Sequence, residues 1–257
     1  MSVSCTTGSS LARPRITRRM ASGSYGEGPY GEDVTWLQGY PKWGFLIYRC
    51  DYGDDEAWKT FIDGWLDRVK SYLLDQYGDT SLVKTLDCSV KEDKLSLDNA
   101  SVEQVHKIFT EWTRSQEAQA EQTDATKTGR VSFARYTPCI HVAAQSLNGC
   151  LNYISLPQEE ADQFLLNVRD PALGEAAYVN IVRVEKEWYF PSKLTGDWDR
   201  QVEEEEIEED CEEDRSVISV KMHLPYVLPA VYTRLAACDD LDRWDSFTRD
   251  PHGICVL

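Results

Sequence analysis

Histidine is scarce in this chain: there are four in 257 residues, His106, His141, His223 and His252. No C-x-x-C and no H-x-x-x-H spacing occurs, so the familiar zinc-binding patterns are absent. No G-x-S-x-G stands at a strand-to-helix turn, which excludes the common hydrolase elbow. No glycine-rich loop is placed to cradle a phosphate. No apolar run approaches the roughly 20 residues needed to span a bilayer as a helix. Basic residues are in deficit, 27 against 44 acidic ones, and the net charge is −17. Phosphate contacts need clustered Lys and Arg, so unaided binding of nucleic acid or of an anionic membrane is not expected. No secretory signal pattern opens the sequence.

What is present is enough apolar material for a real core. Hydrophobic residues make up 42%, with eight Trp and thirteen Tyr. The negative charge is concentrated. Ten of the seventeen net charges lie in Glu203–Asp214, where ten of twelve residues are carboxylates, so the rest of the chain carries about −7. That run reads as a solvated insertion spanning about 199–215. The eight cysteines, Cys5, Cys50, Cys88, Cys139, Cys150, Cys211, Cys238 and Cys255, mostly fall inside apolar patterns. In a chain of this length that reads as buried, reduced thiols in a reducing compartment. The ending Gly253–Leu257 is no prenylation box, because its cysteine is third from the end.

Residues 1–38 read as a flexible tail rich in Ser, Gly and Arg. Residues 1–26 hold Arg13, Arg15, Arg18 and Arg19 and no acid. That composition resembles a mitochondrial transit peptide, although Pro14 and several Gly interrupt an amphipathic helix. The expected location is cytoplasmic, with the mitochondrion as the alternative.

The organised part is read as one domain over 39–238, followed by a C-terminal tail over 239–257. Trp43–Cys50 is short, continuous and aromatic, as a buried central strand is. Asp51–Glu56 is an acidic turn at a helix start. Trp58, Phe61, Ile62, Trp65, Leu66, Val69, Tyr72 and Leu73 then recur at three- and four-residue steps, which predicts a long helix stopped by Gly78. Lys84–Glu92 predicts a second strand. Ser101 with Gln104 forms a capping box for a second helix, whose buried face is Val102, Val105, Ile108, Phe109 and Trp112. Gln116–Lys127 reads as a frayed helix end and loop. Arg135–Val142, Tyr178–Val184 and Val217–Met222 predict strands; Ser146–Tyr153 and Pro225–Ala237 predict helices. The sum is an α+β fold, with helices packed on a small sheet of about five strands and ferredoxin-like as the nearest arrangement. In that expectation both helical stripes press onto one side of a sheet centred on Gly44–Tyr48.

The strand WGFLIYRC, the turn DYGDDEAW, the segment LDNASVEQVHKIFTEW and the strand YVNIVRV together resemble a group of uncharacterised proteins of filamentous ascomycete fungi. The resemblance covers roughly residues 40–238. It implies a source and a fold, and no catalytic residues.

Five features are candidates for chemistry. The carboxylates Asp51, Asp54, Asp55 and Glu56 could hold a divalent cation, but their spacing fits no calcium loop, and helix capping is the plainer reading. Cys139 and His141 share one face of a strand, with Cys50 and Cys88 on neighbouring strands; buried core thiols are the plainer reading there. His106 and His141 could serve catalysis, but no nucleophile is spaced to meet them. Trp58, Trp65, Trp112, Tyr48 and Tyr178 could line an apolar pocket or simply fill the core. Glu203–Asp214 could attract a basic protein partner. Tyr48, His106, His141 and Cys139 are therefore the pocket candidates, and no metal or cofactor is expected. Two functions follow. One is a non-catalytic intracellular interaction or accessory role. The other is a small cofactor-free enzyme or apolar-ligand carrier, such as secondary metabolism employs.

Overall fold

The structure is a computed structural model that describes residues 34, 37–38, 42–78, 80–125, 132–157, 160–161, 177–183, 219–237, 248–249 and 255–256. The Arg-rich start and the acidic run Glu203–Asp214 lie outside the described residues. The fold is α+β: helices pack on a mixed sheet.

The sheet is built from β1 (Ile47–Arg49), β2 (Val90–Lys91), β3 (Pro138–Val142), β4 (Tyr178–Arg183), β5 (Ser219–His223), β6 (Thr248–Arg249) and β7 (Cys255–Val256). Their order is β2-β1-β3-β4-β5-β7-β6. β1 is parallel to both β2 and β3, and β4 runs antiparallel to β3 and β5. The last two strands lie within the segment read from sequence as a tail, and β7 pairs with β5 through Met222 and Cys255.

The helices explain why β1 is apolar on both sides. Helix α1 (Asp55–Tyr77) buries Trp58, Phe61, Trp65, Val69 and Leu73. These join Phe45 and Ile47, with Ile140, Val142, Val179 and Ile181, in the larger core. Helix α4 (Val102–Thr113) buries Val105 and Phe109 on the opposite face, against Leu46, Tyr48, Cys50, Cys139 and Val182. The expectation that both stripes share one side is thus overturned. Side chains alternate along β1, so Phe45 and Ile47 point one way and Leu46 and Tyr48 the other. The chain connects β1 to β2 in one direction along the sheet and β2 to β3 in the other. Crossovers of one hand then require helices on opposite faces. Helices on both faces and two parallel neighbours for β1 also differ from a ferredoxin-like arrangement.

Several boundaries move for identifiable reasons. The strand expected over Lys84–Glu92 starts inside a short helix, α2 (Thr80–Thr85), and only Val90–Lys91 pairs with β1. Trp43 still meets this segment, through a bridge to Leu86 and an indole bond to the Leu82 carbonyl at 2.9 Å. Between β2 and α4 lies the single turn α3 (Lys94–Leu97). Gln116–Ala125 is a helix, α5, and Ser132–Tyr136 another, α6, so β3 starts only at Pro138. Helix α7 (Ala144–Ser155) packs beside α1. Gly64 makes this approach close: a Cβ there would stand 2.4 Å from Ile154 Cγ2. Arg68 of α1 donates to the Ile154 and Leu156 carbonyls, so it satisfies the end of α7. The helix expected over Pro225–Ala237 breaks at Leu228 (φ −132°, ψ 133°): a turn at Leu224–Tyr226 precedes the break, and the helix Tyr232–Ala237, α8, follows it. Leu228 precedes Pro229, and a residue before proline is pushed out of the helical region.

The caps appear as the sequence implies. Asp54 accepts from the Ala57 N–H at 3.0 Å, and Gly78 ends α1 in the left-handed conformation. Ser101 and Gln104 form the reciprocal box, at 2.7 and 3.3 Å. No helix among the described residues is long and apolar enough to cross a membrane.

Gly44 sits at φ +121°, where a Cβ would stand 2.8 Å from the Asp87 carbonyl oxygen. Gly44→Ala therefore meets both backbone strain and a clash with main chain, and its expected cost is about 1–3 kcal/mol. Urea denaturation of the two proteins measures it; equal midpoints would contradict the geometry.

Candidate functional site

Open sheets that contain parallel strands tend to bind ligands beyond the carboxyl ends of those strands, where the chain direction along the sheet reverses. Here that place lies beyond Arg49 of β1, Lys91 of β2 and Val142 of β3. It is built first from backbone bonds. The Cys50 N–H reaches the Val142 carbonyl at 2.9 Å, and the Asn99 N–H reaches the Cys50 carbonyl at 3.1 Å. The turn after β1 is held by Asp51, which accepts from the Gly53 N–H at 2.9 Å.

Arg49 organises this edge. Its residue exposure is only 5%. Its Nε donates to the Asp51 carbonyl at 2.8 Å, one guanidinium nitrogen donates to Asp55, and the other lies 3.8 Å from Glu92. The guanidinium lies 4.4 Å from the centre of the Tyr52 ring and 5.3 Å from that of Trp58. Trp58 donates its indole N–H to the same Glu92 at 2.7 Å. A flat cation between aromatic faces keeps favourable electrostatics after losing water. Around it Asp54, Asp55, Glu56, Glu92, Asp93 and Asp98 are exposed and form a negative rim. Asp54 and Asp93 cap helices, and Asp55 and Glu92 answer Arg49. Among the described residues no group of three or more His, Cys, Asp or Glu is placed to hold a metal ion.

The four pocket candidates are distributed over the α4 side of the fold. Tyr48 is 1% exposed and meets Phe109 edge-on, at 6.2 Å between ring centres. Cys139 is fully buried, and burial pushes its thiol well above the usual range. Burial also pushes the neighbouring core thiol of Cys50 up to about 12. Neither supplies a thiolate near neutral pH. Cys50, Cys88, Cys139 and Cys150 are all free cysteines. His106 lies on the flank of α4, partly exposed, and its Nε2 has no hydrogen-bond partner.

His141 is the most constrained of the four. It is 4% exposed, with Nε2 at 2.9 Å from the Ala100 carbonyl and Nδ1 at 2.9 Å from Asn180 Nδ2. A carbonyl can only accept and an amide nitrogen can only donate, so the ring is the neutral Nε2–H tautomer. Both nitrogens are then spent. The strand register extends this into a row of side chains across the sheet: Tyr48 opposite His141, His141 opposite Asn180, Asn180 opposite Lys221.

Three important groups escape sequence reasoning. Arg49 and Asn180 each stand as a polar residue inside a predicted apolar strand, and that misfit was the available signal. Arg135 is the third. It is 2% exposed and donates to the carbonyls of Gly44 and Asp87 at 3.2 and 2.6 Å, to Ser89 Oγ at 2.9 Å, and to Glu121 at 2.8 Å. The sequence pattern places it at the start of a strand, and nothing local marks it as a clamp.

Together these features define an α+β protein in which, among the described residues, Arg49, Arg135 and His141 are bonded to the chain itself, while Trp65 Nε1 and His106 Nε2 are buried without a hydrogen-bond partner. No family model, no curated protein and no solved structure matches the chain.

Arg49 and Asp55 are unequal partners, because the Asp55 side chain is 84% exposed. Arg49→Ala removes the stacking and a buried bond, with an expected cost of about 1–3 kcal/mol. Asp55→Asn removes a solvated partner and should cost about 0–1 kcal/mol. Equal losses in thermal or urea unfolding would refute the unequal partnership.

Proposed function

We propose that the protein has a non-catalytic interaction or accessory role inside the cell, in the fungal group its motifs resemble. The observation that carries this reading is His141. A buried imidazole with its N–H committed to Ala100 and its lone pair committed to Asn180 has nothing left for a substrate. The same economy holds for Arg49 and Arg135, whose donors go to the chain's own carbonyls and carboxylates. The partner in this reading is a basic protein, drawn by the ten carboxylates of Glu203–Asp214. Pull-down from the native cell, with that run neutralised to Gln and Asn, should lose partners that the wild-type chain retains. An unchanged set of partners would end the idea.

A second reading, an apolar-ligand carrier or small cofactor-free enzyme, is favoured by one observation. On the α4 side, where the pocket candidates lie, His106 Nε2 is a buried atom with no hydrogen-bond partner, and such an atom calls for an explanation. A ligand carbonyl or hydroxyl would supply one. Untargeted metabolite profiling of a strain lacking the gene should then show one compound class accumulating or vanishing. Identical profiles would count against it.

A further inference from the structure

The segment Leu97–Ser101 joins α3 to α4 and borders the carboxyl edge of β1. Inside the segment, the Ala100 N–H returns to the Leu97 carbonyl at 3.0 Å, and Ser101 caps α4. It is tied to the sheet at two points. One is the main-chain bond from Asn99 to Cys50, and the other is the side-chain bond from His141 to the Ala100 carbonyl. We propose that His141 and Asn180 form a proton-operated latch on this segment, closed while the ring is neutral and loosened when Nδ1 takes a proton.

The geometry carries the argument. In the neutral ring Nδ1 is an acceptor and faces the Asn180 amide nitrogen at 2.9 Å. A proton on Nδ1 sets donor against donor. Asn180 can relieve this only by turning its amide over to present its oxygen, and that leaves a cation on a ring that is only 4% exposed. The titratable groups around the ring offer little compensation. Tyr48 on β1 and Cys139 on β3 are buried and neutral, as is Cys50 at the end of β1. Lys221, the register partner of Asn180 on β5, adds positive charge. Among the described residues Glu103 on α4 is the carboxylate that acts on the ring, and it is exposed, as is Asp98 in the segment itself; His106 stands one turn further along the helix. A buried cation without a close carboxylate is costly, so the protonated ring favours the state in which water reaches it.

The sign follows from the same environment. Burial holds the imidazole below its ordinary pKa of 6.5, and the Ala100 carbonyl and Glu103 oppose that only in part. The opened ring accepts a proton that the closed ring refuses. Closure is therefore fully favoured above pH 6.5 and weakens as pH falls from there toward the lowered value. Within that window the open population grows by roughly tenfold per pH unit.

Amide hydrogen exchange of the full chain at about pH 7.5 and about pH 5.5, corrected for the intrinsic rate, tests this. The expected result is faster exchange over 97–105 at the lower pH, with Phe61–Val69 of α1 unchanged as internal reference. His141→Gln keeps a donor for Ala100 and cannot titrate, so its ratio should be flat. Asn180→Asp gives the protonated ring an acceptor and should hold the segment closed at the lower pH. Nitrogen NMR of the wild-type ring at neutral pH should report the Nε2–H tautomer, and this does not depend on the variants folding. Equal protection at the two pH values, loosening that includes α1, the same acid response in His141→Gln, or the Nδ1–H tautomer would each overturn the latch.

Discussion

The arrangement rests on β1 being buried on both faces. Phe45 and Ile47 enter one core and Leu46, Tyr48 and Cys50 the other, all at 1% exposure or less. A strand with only one apolar face could be covered by one helical layer and leave the other side to water. This one needs two layers, and the chain supplies them by sending α1 to one face and α4 to the other. Everything that gathers at the carboxyl edge, including Arg49, the acidic rim and the Leu97–Ser101 segment, is placed by that division.

Among the described residues charge enters the interior at Arg135 and Arg49, and each follows the rule that a buried polar group must be bonded. Arg135 spans the lead into β1, the loop before β2, and α5. It serves carbonyls that no strand pairing reaches, because β2 is only two residues long. Arg49 closes the end of β1 between two aromatic rings. His141 avoids charge by remaining neutral. Satisfied polar groups of this kind rigidify the core and specify one arrangement of it.

The long helix, its glycine stop, the Ser101–Gln104 box and the strand at Tyr178 were legible because their signals are local. The stripe Trp58–Phe61–Trp65–Val69–Leu73 repeats with the helical period, and caps are set by residues within one turn. Two expected strands, Lys84–Glu92 and Arg135–Val142, start within the short helices α2 and α6. Their few residues, TSLVKT and SFARY, carry too short a pattern to separate the helical period from the strand period. Of the pocket candidates, Tyr48, Cys139 and His141 were rightly placed on strands. Their partners were not foreseeable, since Asn180 and Ala100 lie 39 and 41 residues from His141.

By itself, the sequence determined which segments are apolar, with what period, and where helices start and stop, because those properties depend on neighbours along the chain. Tertiary structure alone decided which face of β1 each helix covers, that β1 lies between β2 and β3, and that the two ring nitrogens of His141 meet the Ala100 carbonyl and the Asn180 amide. The physical reason is separation. Crossover direction, strand register and hydrogen-bond pairing join residues dozens of positions apart, and no local pattern encodes which of them will meet.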